Sequence, residues 1–358
     1  MDLENTPVKE IDFFSFKDSL DLKKSKKSNL IYGNPLVIKK RVTIAIPTYK
    51  RLLLLRDALE SAVNQVDYDN YEILIVDNDP VLANGYETEK MIRSFNCDKI
   101  RYYRNDENIG GFENWNRCFE LAAGDWVTLL HDDDYFFPYY LREMMKVIDK
   151  NPHIQGLTSF QNFWHDDGVK HIRENWAINQ IVKEKQEIIK ITLRDMFFSN
   201  RVSAANVMYK RDNILELGGF NPDFYPPADY VINSQYISRF NNVYLMKSFL
   251  SIYRILENDS IKKDVQKKII KIDYLLRLAI AREIKMPFTA SKIIAGNLAA
   301  KAIKKNSIES IADFEDFNQY NSFLYLINIP IAKILEIFLK YSLKLRSLQA
   351  KIKSFRTN

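Results

Sequence analysis

Cysteine is scarce in this sequence: Cys97 and Cys118 are the only two in 358 residues. Two isolated cysteines supply neither a disulfide framework nor a Cys-x-x-Cys metal site, so we expect reduced thiols and a cytoplasmic protein. The first ten residues also lack the basic and then apolar pattern of a secretory signal, which argues against export.

Long hydrophobic runs and glycine-rich loops are missing as well. The most apolar late stretch, residues 323–332, contains Asn328 and Pro330 and is too short to cross a bilayer. We therefore expect no transmembrane segment. No glycine-rich loop opens the first predicted helix, which argues against a nucleotidyltransferase with a phosphate-binding loop. Hydrophobic residues make up 46% and charged residues 27% of the chain, as in a folded globular protein.

Positive charge is concentrated in a tail. Residues 331–358 hold seven Lys or Arg residues and one acid, so this tail alone accounts for the net charge of +6. Because the rest of the chain has no net charge, we expect no nucleic-acid partner. Apolar residues recur every three or four positions in the tail, which predicts a basic amphipathic helix. Such a helix either binds an anionic membrane surface or pairs with a second copy in a coiled coil.

Short apolar runs alternate with amphipathic segments over the first part of the chain. The runs at 42–46, 71–76, 100–103 and 126–130 predict strands, and the segments at 52–65, 87–95 and 112–122 predict helices. This order predicts an α/β, Rossmann-like fold with a mostly parallel sheet flanked by helices. We expect an N-terminal extension (1–40), the α/β domain (41–260), which includes a later helix at 187–199, and a helical C-terminal region (261–358).

Polar clusters follow three of the predicted strands, at 47–51, 77–79 and 132–134. Ligands of such sheets bind at the carboxyl ends of the strands, so these clusters should converge. Three adjacent aspartates repel one another, and a divalent cation with oxygen ligands relieves that repulsion. We therefore expect a metal there. The alternatives are that Asp134 caps the following helix and that Asp77 and Asp79 only form a turn before Pro80.

Five motifs in this order resemble glycosyltransferase family 2, whose members have the GT-A fold. They are IPTYKR at 46–51, VDND at 76–79, NIG at 108–110, GDW and HDDD at 124–134, and GGF at 218–220 ahead of Asp229. The resemblance covers residues 42–260. It implies transfer of a hexosyl or deoxyhexosyl group, with inversion, from a UDP-, dTDP-, GDP- or CDP-linked donor to a saccharide hydroxyl. It also implies synthesis of bacterial cell-surface polysaccharide, capsule or lipopolysaccharide, on an acceptor linked to polyprenyl diphosphate.

The resemblance also assigns roles to residues. Asp132, Asp133 and Asp134 would hold Mn²⁺ or Mg²⁺, which offsets the charge of the departing nucleoside diphosphate. His131 stands where the family often has an aspartate, and we expect it to pack or hydrogen-bond. Asp229 would be the general base for the acceptor hydroxyl, with a helix cap as the alternative. The residues expected to bind the donor are Pro47, Thr48, Tyr49, Arg51, Asp77, Asn108, Gly110, Asp132 and Arg254.

Residues 73–79 are also similar to the first motif of haloacid-dehalogenase-type phosphatases. Asp77 would then be the nucleophile and Asp79 the acid or base, with the acids at 132–134 as a Mg²⁺ site. This alternative leaves the segment from Gly218 to Asp229 without a role, so glycosyl transfer is preferred.

Overall fold

The computed structural model describes residues 11–15, 27–35, 38–80, 82–165, 187–203, 205–256, 262–306 and 308. Ten strands form one sheet in the order β1-β4-β3-β2-β5-β9-β7-β10-β6, with β8 paired to β10. The strands are β1 (Ser28–Tyr32), β2 (Lys40–Thr48), β3 (Tyr71–Asp77), β4 (Ile100–Asn105), β5 (Gly124–Leu129), β6 (Tyr135–Phe136), β7 (Gly156–His165), β8 (Ile188–Ile191), β9 (Val207–Lys210) and β10 (Val243–Ile255).

Helices cover both faces of this sheet. They are α1 (Leu52–Val63), α2 (Leu82–Ser94), α3 (Gly111–Leu121), α4 (Tyr140–Lys150), α5 (Leu193–Phe198), α6 (Arg211–Glu216), α7 (Ala228–Phe240), α8 (Lys263–Glu283) and α9 (Phe288–Lys305). Neighbouring residues of β2 belong to different cores: Ile44 packs with α1 and α4, and Ala45 with α3 and α7. A strand buried on both faces is expected to be apolar throughout, as β2 and β3 are.

The centre of the sheet is parallel, as the sequence predicts. Strands β4, β3, β2 and β5 run in one direction, whereas β9 and the edge strands β1, β6 and β8 pair antiparallel. At the carboxyl end of the parallel strands Thr48 of β2 lies opposite Asp77 of β3. The acidic segment 131–134 leaves β5, the other neighbour of β2, at this same edge.

A buried ion pair links β4 to β3 at the opposite end of these strands. Arg101 of β4 donates from Nε and Nη2 to the carboxylate of Glu72 of β3, at 2.7 and 3.0 Å. Glu72 Oε1 also accepts from Thr43 Oγ1 and from the backbone N–H of Ala123. Both charged residues are at most 5% exposed, so the pair depends on these complementary hydrogen bonds.

The predicted helix at 187–199 is wrong over its first half. Residues Ile188–Ile191 form β8 along β10, and the helix α5 begins only at Leu193. Isoleucines favour the extended strand, and the Thr192 side chain with Asp195 forms a capping box that starts the helix.

The chain after β10 is helical where it is described. Helices α8 and α9 share a hydrophobic core with α3 and α7. None of the described helices is long and apolar enough to cross a membrane. The predicted basic helix at 331–358 and most of the predicted extension at 1–40 lie outside the described residues, and the domain boundaries stay predictions.

Candidate active site

Residues from the ends of two strands meet in one hydrogen-bonded cluster. Thr48 Oγ1 donates to Asp132 Oδ2 at 2.8 Å. Arg51 Nη1 donates to Asp132 Oδ1 at 3.2 Å and to Asp133 Oδ2 at 2.8 Å. The structure thus brings together four of the residues that the sequence singled out, although more than 80 positions separate Thr48 from Asp132.

Negative charge is crowded at this cluster. Burial, and then the neighbouring Asp133 carboxylate, raises the pKa of Asp132 to about 6. The same two causes raise the pKa of Asp134 well above its ordinary value. Burial alone would lower the pKa of Arg51, but the carboxylates of Asp132 and Asp133 more than offset it. Burial and repulsion among the acids therefore outweigh the stabilisation that Arg51 gives to ionised Asp132 and that Arg254 gives to ionised Asp134.

A second group of atoms that could ligate a metal shares Asp133 with this cluster. His131, Asp133 and Asp134 each offer a nitrogen or oxygen, all within 4.8 Å of one another. His131 Nε2 and Asp134 Oδ2 are buried and form no hydrogen bond, and burial lowers the pKa of His131, which favours the neutral imidazole. Two carboxylates and a neutral imidazole fit a divalent cation such as Mn²⁺.

This group includes His131 and two of the three predicted ligands. The two oxygens of Asp132 accept hydrogen bonds from Thr48 and Arg51, and its role as a metal ligand stays a prediction. His131 was expected to pack, and its ring does stack on Trp115 at 4.8 Å between centroids. Its Nδ1 also lies 3.6 Å from Asp134 Oδ2. The predicted cap does not form, because α4 has no side-chain cap and Asp134 Oδ1 accepts from the Arg254 backbone N–H.

A cavity of about 590 Å³ opens in front of the acids. Pro47, Arg51, Asp132 and Asp133 line one side of it. Aromatic and proline side chains from α3, from the segment before α7 and from β10 form the other side; they are Phe112, Trp115, Pro222, Tyr225, Pro226 and Tyr253.

A smaller cavity of about 290 Å³ lies at the end of β3. Thr48, Asp77 and Asp79 line it, and Arg51 lines both cavities. Asp77 Oδ1 accepts from the Asp79 backbone N–H, which is the turn considered from the sequence. Asp77 Oδ2 accepts from the Tyr102 hydroxyl at 2.7 Å, and burial raises the Asp77 pKa.

Tyr102 and Arg104 are residues of this site that the sequence did not indicate. Arg104 Nη2 donates to the Tyr102 hydroxyl at 3.0 Å, and that hydroxyl in turn donates to Asp77. Both side chains come from β4, the strand next to β3. Sequence periodicity reports that a strand residue is buried, but not which neighbouring side chain it touches. Tyr49, which is predicted to bind the donor, lines neither cavity and is 41% exposed, with Lys50 Nζ 5.0 Å from its ring centroid.

The loop that carries Asn108 and Gly110 is held by asparagine side chains. Asn78 Nδ2 donates to Asn108 Oδ1, and Asn78 Oδ1 accepts from the Ile109 backbone N–H and from Asn105 Nδ2. Gly110 has a φ of 95°, and a Cβ there would lie 2.4 Å from Glu113 Oε2. A glycine is therefore required where the loop turns into α3, whose first residues line the larger cavity.

Arg254 lies behind the acids and lines neither cavity. It is 2% exposed, its Nη2 is 3.3 Å from Asp57 Oδ2, and its guanidinium is 4.6 Å from the Tyr135 ring centroid. With its backbone N–H bonded to Asp134, Arg254 joins α1 to the acidic segment. Its predicted contact with a diphosphate stays a prediction.

Asp229 stands apart from the acid cluster, in the first turn of α7. The helix cap is Pro227 and α7 has no side-chain cap, so the helix-cap alternative does not hold. Asp229 is half-buried, and burial raises its pKa to about 6. It is not among the residues that line the larger cavity, although Tyr225 and Pro226 just before it are.

Comparison with known proteins agrees with the geometry of this site. The family model Glycosyl transferase family 2 matches residues 43–211. This part of the chain is a glycosyltransferase family 2 domain. The match sets aside the phosphatase alternative for Asp77 and Asp79. It also agrees with a relative from Campylobacter jejuni, GalNAc(5)-diNAcBac-PP-undecaprenol beta-1,3-glucosyltransferase, which is 25% identical over 259 residues, or 70% of this chain and 76% of the relative.

Solved structures confirm the GT-A fold of this family 2 enzyme. TarS 1–349 from S. aureus, in complex with UDP-GlcNAc, superposes with a TM-score of 0.51 at 14% identity, over 84% of this chain and 92% of the other. Mannosyltransferase PcManGT from Pyrobaculum calidifontis, in complex with GDP-Man and Mn²⁺, gives a TM-score of 0.51 at 14% identity, over 92% and 88% of the two chains. At this identity the likeness extends to the fold alone.

Proposed function

We propose that this glycosyltransferase transfers a sugar from a nucleotide-sugar donor to a saccharide hydroxyl, with inversion and with Mn²⁺ or Mg²⁺ as cofactor. One observation carries the proposal: Arg51 lines both cavities and donates to the buried acids between them. A donor fits this arrangement with its nucleoside in the smaller cavity, its diphosphate at Arg51 and its sugar in the larger cavity. The two solved structures contain UDP-GlcNAc and GDP-Man, which supports such a donor.

The smaller cavity suits a nucleoside. Asp77 lines it and is a hydrogen-bond acceptor for a base N–H or a ribose hydroxyl. Tyr49 does not line this cavity, but it follows Thr48, which does, and its exposed ring is available for stacking. Asn108 and Gly110 shape the loop that leads into α3. Thr48 and Arg51 fix the Asp132 carboxylate, which we assign to a ribose hydroxyl of the donor.

His131, Asp133 and Asp134 would hold the metal. When bound, Mn²⁺ or Mg²⁺ supplies positive charge that offsets the charge on the departing nucleoside diphosphate. The presence of Mn²⁺ in the mannosyltransferase complex supports this assignment. The two buried atoms without hydrogen bonds, His131 Nε2 and Asp134 Oδ2, give the assignment its structural basis.

Asp229 is the proposed general base. A carboxylate with a pKa of about 6 is largely ionised at neutral pH and accepts a proton more readily than an ordinary aspartate does. Attack by the acceptor hydroxyl on the sugar carbon, with departure of the nucleoside diphosphate from the opposite side, inverts that carbon. Asp229 takes the hydroxyl proton in this displacement.

The acceptor is proposed to be a lipid-linked saccharide of bacterial cell-surface polysaccharide synthesis. The Campylobacter jejuni relative is named for an acceptor on undecaprenyl diphosphate, which supports this proposal.

We place the enzyme in the cytoplasm, peripheral on the inner face of the membrane or self-associated through the basic tail at 331–358. Flotation with anionic liposomes should fall when residues 331–358 are deleted; equal flotation of both chains would contradict membrane binding by the tail.

A thermal-shift screen tests the function directly. UDP, dTDP, GDP and CDP are each added with Mn²⁺ or with EDTA, and release of nucleoside diphosphate from the matching nucleotide sugars is then measured. We expect one diphosphate to raise the melting temperature, and only with Mn²⁺. Asp133→Asn should abolish that shift, whereas Asp125→Asn, at the other end of β5 and 41% exposed, should keep it. A shift of equal size in EDTA or in Asp133→Asn would refute the proposal.

A further inference from the structure

The larger cavity has two chemically different sides. Arg51, Asp132 and Asp133 supply charge to its lining, and the rings of Phe112, Trp115, Tyr225 and Tyr253 supply flat apolar surface. Tyr225 is 49% exposed, so a large part of its ring is open to a ligand. Its ring centroid lies 6.2 Å from that of Phe112, which in turn stacks on Phe220 of the core.

Tyr225 is also held by its own segment. A short 3-10 helix at Pro222–Phe224 precedes it, and its backbone N–H donates to the Pro222 carbonyl at 3.0 Å. Pro226 and Pro227 follow directly and lead into α7, where Asp229 lies in the first turn. Prolines fix the backbone, so little conformational freedom is lost when a ligand contacts this ring.

A second ring continues the apolar side at β10. Tyr253 lines the cavity, and its ring lies 5.7 Å from that of Phe163, which is 71% exposed. The aromatic lining thus continues from Tyr253 to the exposed ring of Phe163. Exposed aromatic rings grouped beside a cavity mark a binding surface more often than chance exposure does.

A pyranose matches this cavity in chemical character. The sugar ring has a face of C–H groups, which packs on an aromatic ring, and a rim of hydroxyls, which needs charged or polar partners. A lipid chain would need apolar walls on all sides, and Asp132, Asp133 and Arg51 do not provide them.

We infer that Tyr225, together with Tyr253 of the same cavity, is a stacking platform for the acceptor saccharide, which binds through the C–H face of a pyranose. The inference rests on the proposed function. The acceptor is favoured over the donor sugar because Tyr225 belongs to the segment that carries Asp229, the proposed base. The donor is instead placed against the acids that line the same cavity.

Saturation-transfer NMR with simple glycosides tests the platform. The probes are methyl β-glucopyranoside, methyl β-galactopyranoside, methyl N-acetyl-β-glucosaminide and methyl α-rhamnopyranoside, each added to full-length protein with Mn²⁺ and the nucleoside diphosphate that binds. We expect saturation at C–H protons of one sugar face in at least one probe. Tyr225→Ala should reduce that signal about fivefold, the effect of one lost aromatic contact.

Two variants control the experiment. Tyr225→Phe keeps the ring and should retain the signal within about twofold, because stacking does not need the hydroxyl. Tyr86→Ala removes a tyrosine of α2 that is 66% exposed and should leave the signal unchanged. Should Tyr225→Ala fail to fold, Tyr225→Leu replaces it, since leucine keeps apolar bulk without a ring.

The nucleotide resonances in the same samples separate this inference from the proposed function. Saturation of nucleotide protons without saturation of any glycoside would overturn the platform and leave the function standing. A glycoside signal that persists in folded Tyr225→Ala or Tyr225→Leu, or disappears in Tyr225→Phe, would overturn it as well. Absence of nucleotide saturation in the wild-type protein would instead refute the function.

Discussion

Replacing Arg51 by methionine should expose the repulsion among the acids at the end of β5. In the wild-type protein Arg51 Nη1 donates to both Asp132 and Asp133. Methionine keeps much of the length of the side chain but removes the charge and the donors. Asp132 and Asp133 then lose the guanidinium that bonds to both of them, the buried Arg254 remains near Asp133 and Asp134, and the folded state loses stability.

The size of the loss follows from burial. Removing one partner of a fully buried ion pair costs about 3–5 kcal/mol. Arg51 has a side chain that is 43% exposed, so solvent already screens the pair and we expect about 1–2 kcal/mol. At roughly 2 °C per kcal/mol for a domain of this size, the melting temperature should fall by about 2–4 °C in EDTA. Because the Asp132 pKa lies at about 6, the deficit should grow as pH rises above 6 and the carboxylate ionises.

Metal addition makes this prediction specific. A divalent cation replaces the missing positive charge, so saturating Mn²⁺ should raise the melting temperature of Arg51→Met more than that of the wild type. Arg56→Met, on the exposed face of the same helix, is the matched control and should change little. The electrostatic reasoning would be refuted if Arg51→Met were as stable as Arg56→Met in EDTA, or if Mn²⁺ stabilised both variants equally.

Three further predictions concern the base, the nucleoside cavity and the sheet. Asp229→Asn should lower kcat by a factor of ~10² to 10⁴ with near-normal donor binding. In the wild type, kcat/KM should rise with pH through about 6 as Asp229 ionises. A flat pH profile would contradict the role of Asp229 as the base. Tyr102→Phe should weaken nucleoside diphosphate binding in calorimetry by about 5- to 10-fold, because Asp77 loses a donor; unchanged affinity would exclude this. Arg101→Met should cost about 3–5 kcal/mol in urea unfolding, because Glu72 is left buried without its partner, and a loss below 1 kcal/mol would count against the pair.

The sequence predicts the central sheet because burial on both faces leaves continuous apolar runs. The strands at 42–46 and 71–76 appear as β2 and β3, with slightly wider bounds. Residues 187–199 were misassigned because a short apolar run fits a strand and a helix equally well. Only the pairing of β8 with β10 decides between them.

The residue types of the candidate site were predictable from the sequence, but the contacts between their side chains were not. Strand ends carry Thr48, Asp77 and Asp132 to one edge, and the fold class alone implies this convergence. Which acid bonds to Arg51 and which faces His131 depends on side-chain direction over a few ångströms, and spacing along the chain does not encode it. For the same reason, the burial of Arg254 against a residue of α1 had no sequence signal.

Binding of Mn²⁺ in the presence of the nucleoside diphosphate tests the proposed site most directly. Electron paramagnetic resonance of free Mn²⁺ counts the ions that the protein removes from solution. We predict that one Mn²⁺ per chain is bound with nucleoside diphosphate present, and that Asp133→Asn and Asp134→Asn each abolish this binding while Asp125→Asn retains it. Full Mn²⁺ binding by either of the first two variants, or no binding by the wild type, would contradict a metal-dependent transferase built on these acids.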